Sequence, residues 1–138
     1  MKTFSSSSGI GGKIKDSPEE FVVKEITKRG KILEPDVAYS AGELGEEASS
    51  DGKFTTFVLQ KRDWSTIQVL GMIAKRAGRG IRSIGYAGMK DKKSTSTQLA
   101  SVFGAVPEFV SRISVKDAKI NGAWRSSHEV EMGDLLGN

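Results

Sequence analysis

The chain contains no cysteine, which removes disulfide scaffolds, thiol nucleophiles and thiolate metal ligands from consideration. Its single histidine, His128, would leave a zinc ion to be held mostly by carboxylates, a donor set that zinc sites rarely use. Nowhere among the 138 residues does an apolar run approach the roughly 20 residues of a membrane-spanning helix. Residues 1–12 are rich in Ser and Gly and lack the apolar centre of a signal peptide, so the expectation is a cytoplasmic protein with no membrane partner. Nucleotide-binding loops are missing too. Gly12-Lys13 has Ser7 where a phosphate loop needs its first glycine and Ile14 where it needs a hydroxyl. Gly78 and Gly80 are followed at position 83 by Ser rather than by a third glycine. Ser127-His128 could be half of a nucleophilic dyad, but adjacent strand residues point to opposite faces, and His128 reads as an ordinary, partly exposed histidine.

What is present is ordinary in amount and uneven in arrangement. Hydrophobic residues make up 37% and the net charge is +4. Residues 34–51 carry six acidic and no basic side chains, whereas residues 53–93 carry ten basic against Asp63 and Asp91. A local charge of +8 is the footprint of a polyanion partner, or of a solvated helix face and loop.

The length suits one domain. Residues 1–12 read as a flexible arm, because Ser and Gly bury too little to offset ordering entropy. After the Ser17-Pro18 turn signal, residues 19–27 alternate as a strand. Residues 41–52 are acidic and aperiodic, hence a loop. Residues 54–61 alternate again, with Phe57 and Leu59 opposite Phe54, Thr56 and Val58. Asp63 is placed to cap a helix over 64–77, whose apolar side holds Ile67, Leu70, Ile73, Ala74 and Ala77 and which stops at Gly78. Strands are expected at 81–86 and 97–103, and a short helix from Pro107 through Arg112. A hairpin turn is expected at Asn121-Gly122, and a last strand at 129–132. Some six strands with two helices make an α+β fold.

The unusual stretch runs from Ile84 to Gln98. A single carboxylate, Asp91, sits among Lys90, Lys92 and Lys93, just after a strand and two glycines. Nearby cations keep such a carboxylate ionised. It could serve as a nucleophile or base acting on an RNA sugar, or be a turn aspartate capping its own loop.

Gly88-Met89-Lys90-Asp91, with the hydroxyl-rich run through Thr97-Gln98, resembles the signature of the TruD family of tRNA pseudouridine synthases. Residues 9–26, with Lys15, Pro18-Glu19-Glu20-Phe21, Val23 and Glu25, resemble that family's opening K-x-x-P-E-[DE]-F-x-V-x-E motif. Gly133-Asp134-Leu135-Leu136-Gly137-Asn138 is similar to the start of its G-x-x-x-G-N-x-F motif. Three ordered motifs span nearly the whole chain.

The resemblance implies a catalytic domain built on a mixed, mainly antiparallel sheet flanked by helices. By position, the catalytic aspartate falls on Asp91, the aromatic lining the uridine pocket on Phe21 and the pocket asparagine on Asn138. Lys15 becomes a basic partner for the aspartate and Glu25 a structural support, with Lys90, Lys92, Lys93, Arg79 and Arg82 on RNA phosphates. The implied activity is isomerisation of uridine, typically at position 13 of tRNA, to pseudouridine by a full-length monomer needing no cofactor. Asn138 stands two residues short of the motif's phenylalanine, so residues 13–138 are expected to be the N-terminal half of a catalytic domain, inactive alone. The competing readings are a non-catalytic, basic RNA-binding module and an inactive, truncated remnant.

Overall fold

A computed structural model describes residues 22–46, 48–88, 90, 95–131, 133 and 135–137, the last three by their backbone alone. Along the chain, β1 (Val22–Lys24) and β2 (Ile26–Thr27) precede a one-turn helix, α1 (Ala41–Leu44). β3 (Phe54–Arg62) leads into α2 (Thr66–Arg76), and β4 (Ile84–Tyr86) and β5 (Thr95–Phe103) follow. α3 (Pro107–Val110), β6 (Ser114–Val115), β7 (Ala118–Ser126) and β8 (Leu135–Gly137) complete the order.

β3 and β5 pair antiparallel along all nine residues, from Phe54 opposite Phe103 to Arg62 opposite Thr95. β7 covers the other edge of β3, and β6 borders β7. The outer edge of β5 is shared: β1 runs parallel to its first three residues, and β4 runs antiparallel to residues 100–102. β2 pairs separately with β8. The expected α+β architecture with a mainly antiparallel sheet is what the chain forms.

The alternation of β3 explains why the sheet is covered on both sides. Phe57 and Leu59 are buried with Val69, Leu70, Ile73 and Ala74 of α2 and Val110 of α3. Val58 points the other way, into a second core of Leu33, Ala41, Leu44, Leu99 and Trp124. Residues of opposite parity thus bury on opposite faces, as a period of two requires.

Several local expectations are corrected. Asp63 does not cap α2; it turns the chain at φ 62°, and Ser65 is the N-cap, its hydroxyl accepting from the Gln68 N–H at 3.1 Å. Ile67 is exposed, and Val69 takes its place among the buried residues of the helix. Gly78 does stop α2: at φ 74° its N–H reaches the Lys75 carbonyl, and that of Arg79 reaches Ala74. The 41–52 loop holds α1, capped reciprocally by Ser40 and Glu43. Residues 81–83 form a 3-10 turn, and only 84–86 are strand.

Asn121-Gly122 is not a hairpin turn. It lies inside β7, where the register against β3 shifts between Phe57 and Leu59. Gly122 has φ 153°, and a Cβ there would stand 2.1 Å from the Tyr39 carbonyl oxygen, so the glycine is there for close backbone approach. The turn falls instead between β6 and β7, where Asp117 has φ 62°. No strand forms over 129–131; the Val130 N–H bonds to the Ser101 hydroxyl at 2.9 Å. Ser127 and His128, being outside a strand, do meet: Oγ lies 2.8 Å from Nδ1. Both are exposed.

Candidate active site

Glu25 interrupts the edge formed by β1 and β2, and its side chain is fully buried. A carboxylate there demands partners. Its Oε2 receives Lys90 Nζ at 2.9 Å, and its Oε1 accepts the Leu99 N–H at 3.0 Å. The Lys90 side chain is itself 1% exposed, so this is an ion pair closed to solvent. Burial pushes the Glu25 carboxyl above its ordinary value; hydrogen bonds from Lys90 and Leu99 and the charge of Lys90 pull it back down.

The backbone around Lys90 is held at three further points. Gln98 on β5 donates Nε2 to the Gly88 carbonyl at 3.0 Å, and its Oε1 receives the Thr66 hydroxyl at 3.3 Å. Thr66, the first residue of α2, accepts the Lys90 N–H at 2.8 Å. The Gly133 N–H reaches the Ala87 carbonyl at 2.9 Å, and two residues later β8 begins to pair with β2 beside Glu25. The three stretches singled out in the sequence, around Glu25, around Gly88–Gln98 and from Gly133 onward, therefore converge on one corner of the sheet.

Asp91, Lys92, Lys93, Phe21, Lys15 and Asn138 lie outside the described residues. Three of their chain neighbours, Lys90, Val22 and Gly137, belong to this corner or its edges. Lys90 requires a correction. Expected on RNA phosphates, it points inward onto Glu25, because a buried carboxylate is cheaper to keep when a cation shares its burial. Arg79 and Arg82 are exposed but sit elsewhere. Arg79 donates to the Gly104 carbonyl at 2.8 Å, just past the end of β5, and Arg82 precedes β4, which pairs with that same end. At about 3.4 Å per residue, that end is roughly 27 Å along β5 from Thr95. The basic block is thus not one patch: Lys61 and Lys90 are buried, and Arg79 and Arg82 lie at the far end of the sheet.

Beside Thr95 and Val22 opens a cavity of about 540 Å³, walled also by Gln60, Arg62, Asp36 and Lys119. Gln60 Oε1 accepts from the Asp36 N–H at 2.7 Å and from Asn121 Nδ2 at 2.8 Å. The Asp36 carboxyl lies below its ordinary range because Lys119 and Gln60 bond to it. Among the described residues no group of three or more His, Asp or Glu could hold a metal ion.

Thr66 and Gln98 went unnoticed as site residues in the sequence. Their signal was available in the pattern: polar side chains on the buried faces of α2 and β5, where each must find a partner.

The model of one protein family, tRNA pseudouridine synthase D (TruD), matches residues 1–138. This chain belongs to the TruD family. A Methanocaldococcus jannaschii protein assigned as tRNA pseudouridine synthase D 1 is 34% identical over 138 residues, which is 100% of this chain and 34% of that protein. One from Archaeoglobus fulgidus, assigned as tRNA pseudouridine synthase D, is 31% identical over 133 residues, 96% of this chain and 28% of its own length. The crystal structure of the Methanosarcina mazei protein assigned as TruD superposes with a TM-score of 0.66 at 32% identity, covering 94% of this chain and 26% of that one. The chain spans about a third of the length of the curated TruD relatives it matches. None of the helices among the described residues is long and apolar enough to cross a membrane.

Proposed function

We propose that the protein carrying this chain isomerises a uridine of tRNA, at position 13, to pseudouridine, with Asp91 as the catalytic carboxylate. The observation that carries this reading is the convergence at one corner of the sheet, where Glu25, Lys90, Thr66, Gln98 and Gly133 fix the backbone on the N-terminal side of Asp91. Catalysis of this kind rests on orientation, which can lower a barrier by about 7–11 kcal/mol.

The reaction breaks the glycosidic bond, rotates the uracil and rejoins it through C5. Substrate and product are isomers, so atoms balance without a co-substrate. Asp91 either attacks covalently or removes a sugar proton. The base must first leave its stack, at a few kcal/mol, and Phe21 offers a compensating surface, with Asn138 and Lys15 in the same pocket. Lys92, Lys93, Arg79 and Arg82 contact RNA phosphates in this reading, and the exposure of the two arginines supports their part. In this reading residues 13–138 are the N-terminal half of the catalytic domain, in a cytoplasmic monomer that uses no cofactor.

The test is Asp91→Asn in the natural gene product, assayed on unmodified tRNA with chemical mapping of pseudouridine. The variant keeps the shape of the side chain and loses the carboxylate, so turnover should vanish while tRNA affinity survives. Turnover by the Asn variant, deamidation excluded, would sink the assignment.

A further inference from the structure

Among the buried groups that the proposed mechanism leaves unused, Lys61 stands out. It follows Phe57 and Leu59 on the same face of β3, at the rim of the core beneath α2, and is 1% exposed. Nothing in strand pairing requires a cation there. An apolar side chain of similar length would avoid the desolvation of an ammonium and is often neutral or stabilising in such a place. The ammonium is nevertheless held, donating to the Trp64 carbonyl at 2.7 Å.

That carbonyl belongs to the turn that starts α2. Ser65 is its N-cap and Thr66 its first residue. The fully buried Thr66 hydroxyl accepts the Lys90 N–H and donates to Gln98 Oε1. Across the sheet, Lys61 is in register with Ser96, at the start of the strand that follows residues 91–94. Lys61 thus stands between the two ends of the stretch that bears Asp91: Ser96 opposite it on one side, and the start of α2, which holds Lys90, on the other.

We infer that Lys61 is a positioning residue, which fixes the first turn of α2 so that the Thr66 hydroxyl holds the amide of Lys90 and, through it, the backbone position from which Asp91 acts. The inference rests on the isomerase reading above. It assigns Lys61 no contact with tRNA, and the relay runs from ammonium to carbonyl, from the helix start to a hydroxyl, and from the hydroxyl to an amide. Displacements of about 1 Å in a reacting group can lower a rate some hundredfold, which is the scale expected if the relay is cut.

The experiment uses the natural gene product with saturating enzyme and unmodified tRNA, reading the single-turnover rate, the Kd for tRNA and the Tm separately. Lys61→Met and Thr66→Val, the latter nearly isosteric, should each slow the chemical step by about tenfold to a hundredfold. Kd should stay within about twofold of wild type, since phosphate contacts elsewhere set affinity. Thr66→Ser restores the hydroxyl and should restore most of the rate. The double variant should be no slower than the slower single, because both cut the same relay. Multiplying losses, losses confined to Kd, or wild-type rates in both singles would overturn the inference. Where Lys61→Met lowers the Tm, Lys61→Arg decides: it keeps the charge without the point geometry, so a slowed step at wild-type Tm supports the relay and a wild-type rate overturns it. A wild-type protein without turnover would take down the isomerase reading together with this one; unaffected variants of an active enzyme overturn this one alone.

Discussion

Removing Lys90 is the sharpest perturbation of the candidate site. In Lys90→Met the aliphatic stem is kept and the ammonium is lost, leaving the fully buried Glu25 carboxylate with the Leu99 N–H. A buried pair broken from one side costs about 3–5 kcal/mol as a rule. Here protonation sets a ceiling. The unfolded chain holds Glu25 near the ordinary value of 4.5. Neutralising it at pH 7 in the folded state therefore costs about 3 kcal/mol, and less than about 1 kcal/mol at pH 5, at roughly 1.4 kcal/mol per pH unit. The sign follows from burial: with its folded value raised, Glu25 contributes stability that is fully present below the unfolded value and lost as pH rises through the folded one. The deficit of Lys90→Met should accordingly shrink on acidification. Glu25→Gln should remove this pH dependence while costing about 3–5 kcal/mol through the stranded ammonium. The double variant, with no buried charge, should return to within about 1 kcal/mol of wild type, so the pair shows a coupling above about 2 kcal/mol. Urea unfolding of the four proteins at pH 5 and pH 7 measures all of this. Additive single losses, or a Lys90→Met deficit below about 1 kcal/mol at both pH values, would refute the burial argument.

Two other substitutions test the fold and the outlying arginines. Gly122→Ala forces a Cβ onto the Tyr39 carbonyl at a backbone angle that side chains rarely adopt, and should cost about 2–4 kcal/mol, read as a lowered urea midpoint at unchanged slope. Replacing Arg79 and Arg82 by Ala should flatten the dependence of log K on log salt for tRNA by roughly 0.7–0.9 per lost phosphate contact, with turnover at saturating tRNA retained; an unchanged slope returns both to the role of solvated surface.

The sequence made the long elements legible because their pattern is redundant. β3 alternates over nine residues and α2 repeats its apolar side over three turns, so a single misread residue such as Ile67 does not alter the assignment. Short elements lack that redundancy. Asp63 and Ser65 are both good caps, and two residues of tertiary context decide between them. Asn121-Gly122 carries the composition of a turn and is used as a bulge, because Tyr39 brings its backbone against it from over 80 residues away. At the candidate site, Gly88-Met89-Lys90-Asp91 was visible as a motif, but which of its charges faces water was not. Lys90 faces inward because of Glu25, 65 residues earlier, and no local pattern encodes that pairing.

The shared outer edge of β5 has a consequence for how the chain is made. β1 leaves the ribosome early, yet its pairing partner begins at Thr95, opposite Val22, and β2 waits for Gly137, opposite Ile26. At synthesis rates of about 5–20 residues per second, β1 waits roughly 4–15 s and β2 longer still. During that interval β3 and α2 have each other to pack against and β2 has its antiparallel bridge to Ile32, whereas β1 has yet to meet β5. Glu25 meanwhile stays hydrated, and it gives up that water when Lys90 and β5 arrive. β1 is therefore seated after β3, which follows it in the chain, and the corner around Glu25 and Lys90 closes only when residues 22–27 meet residues 95–99 and 135–137.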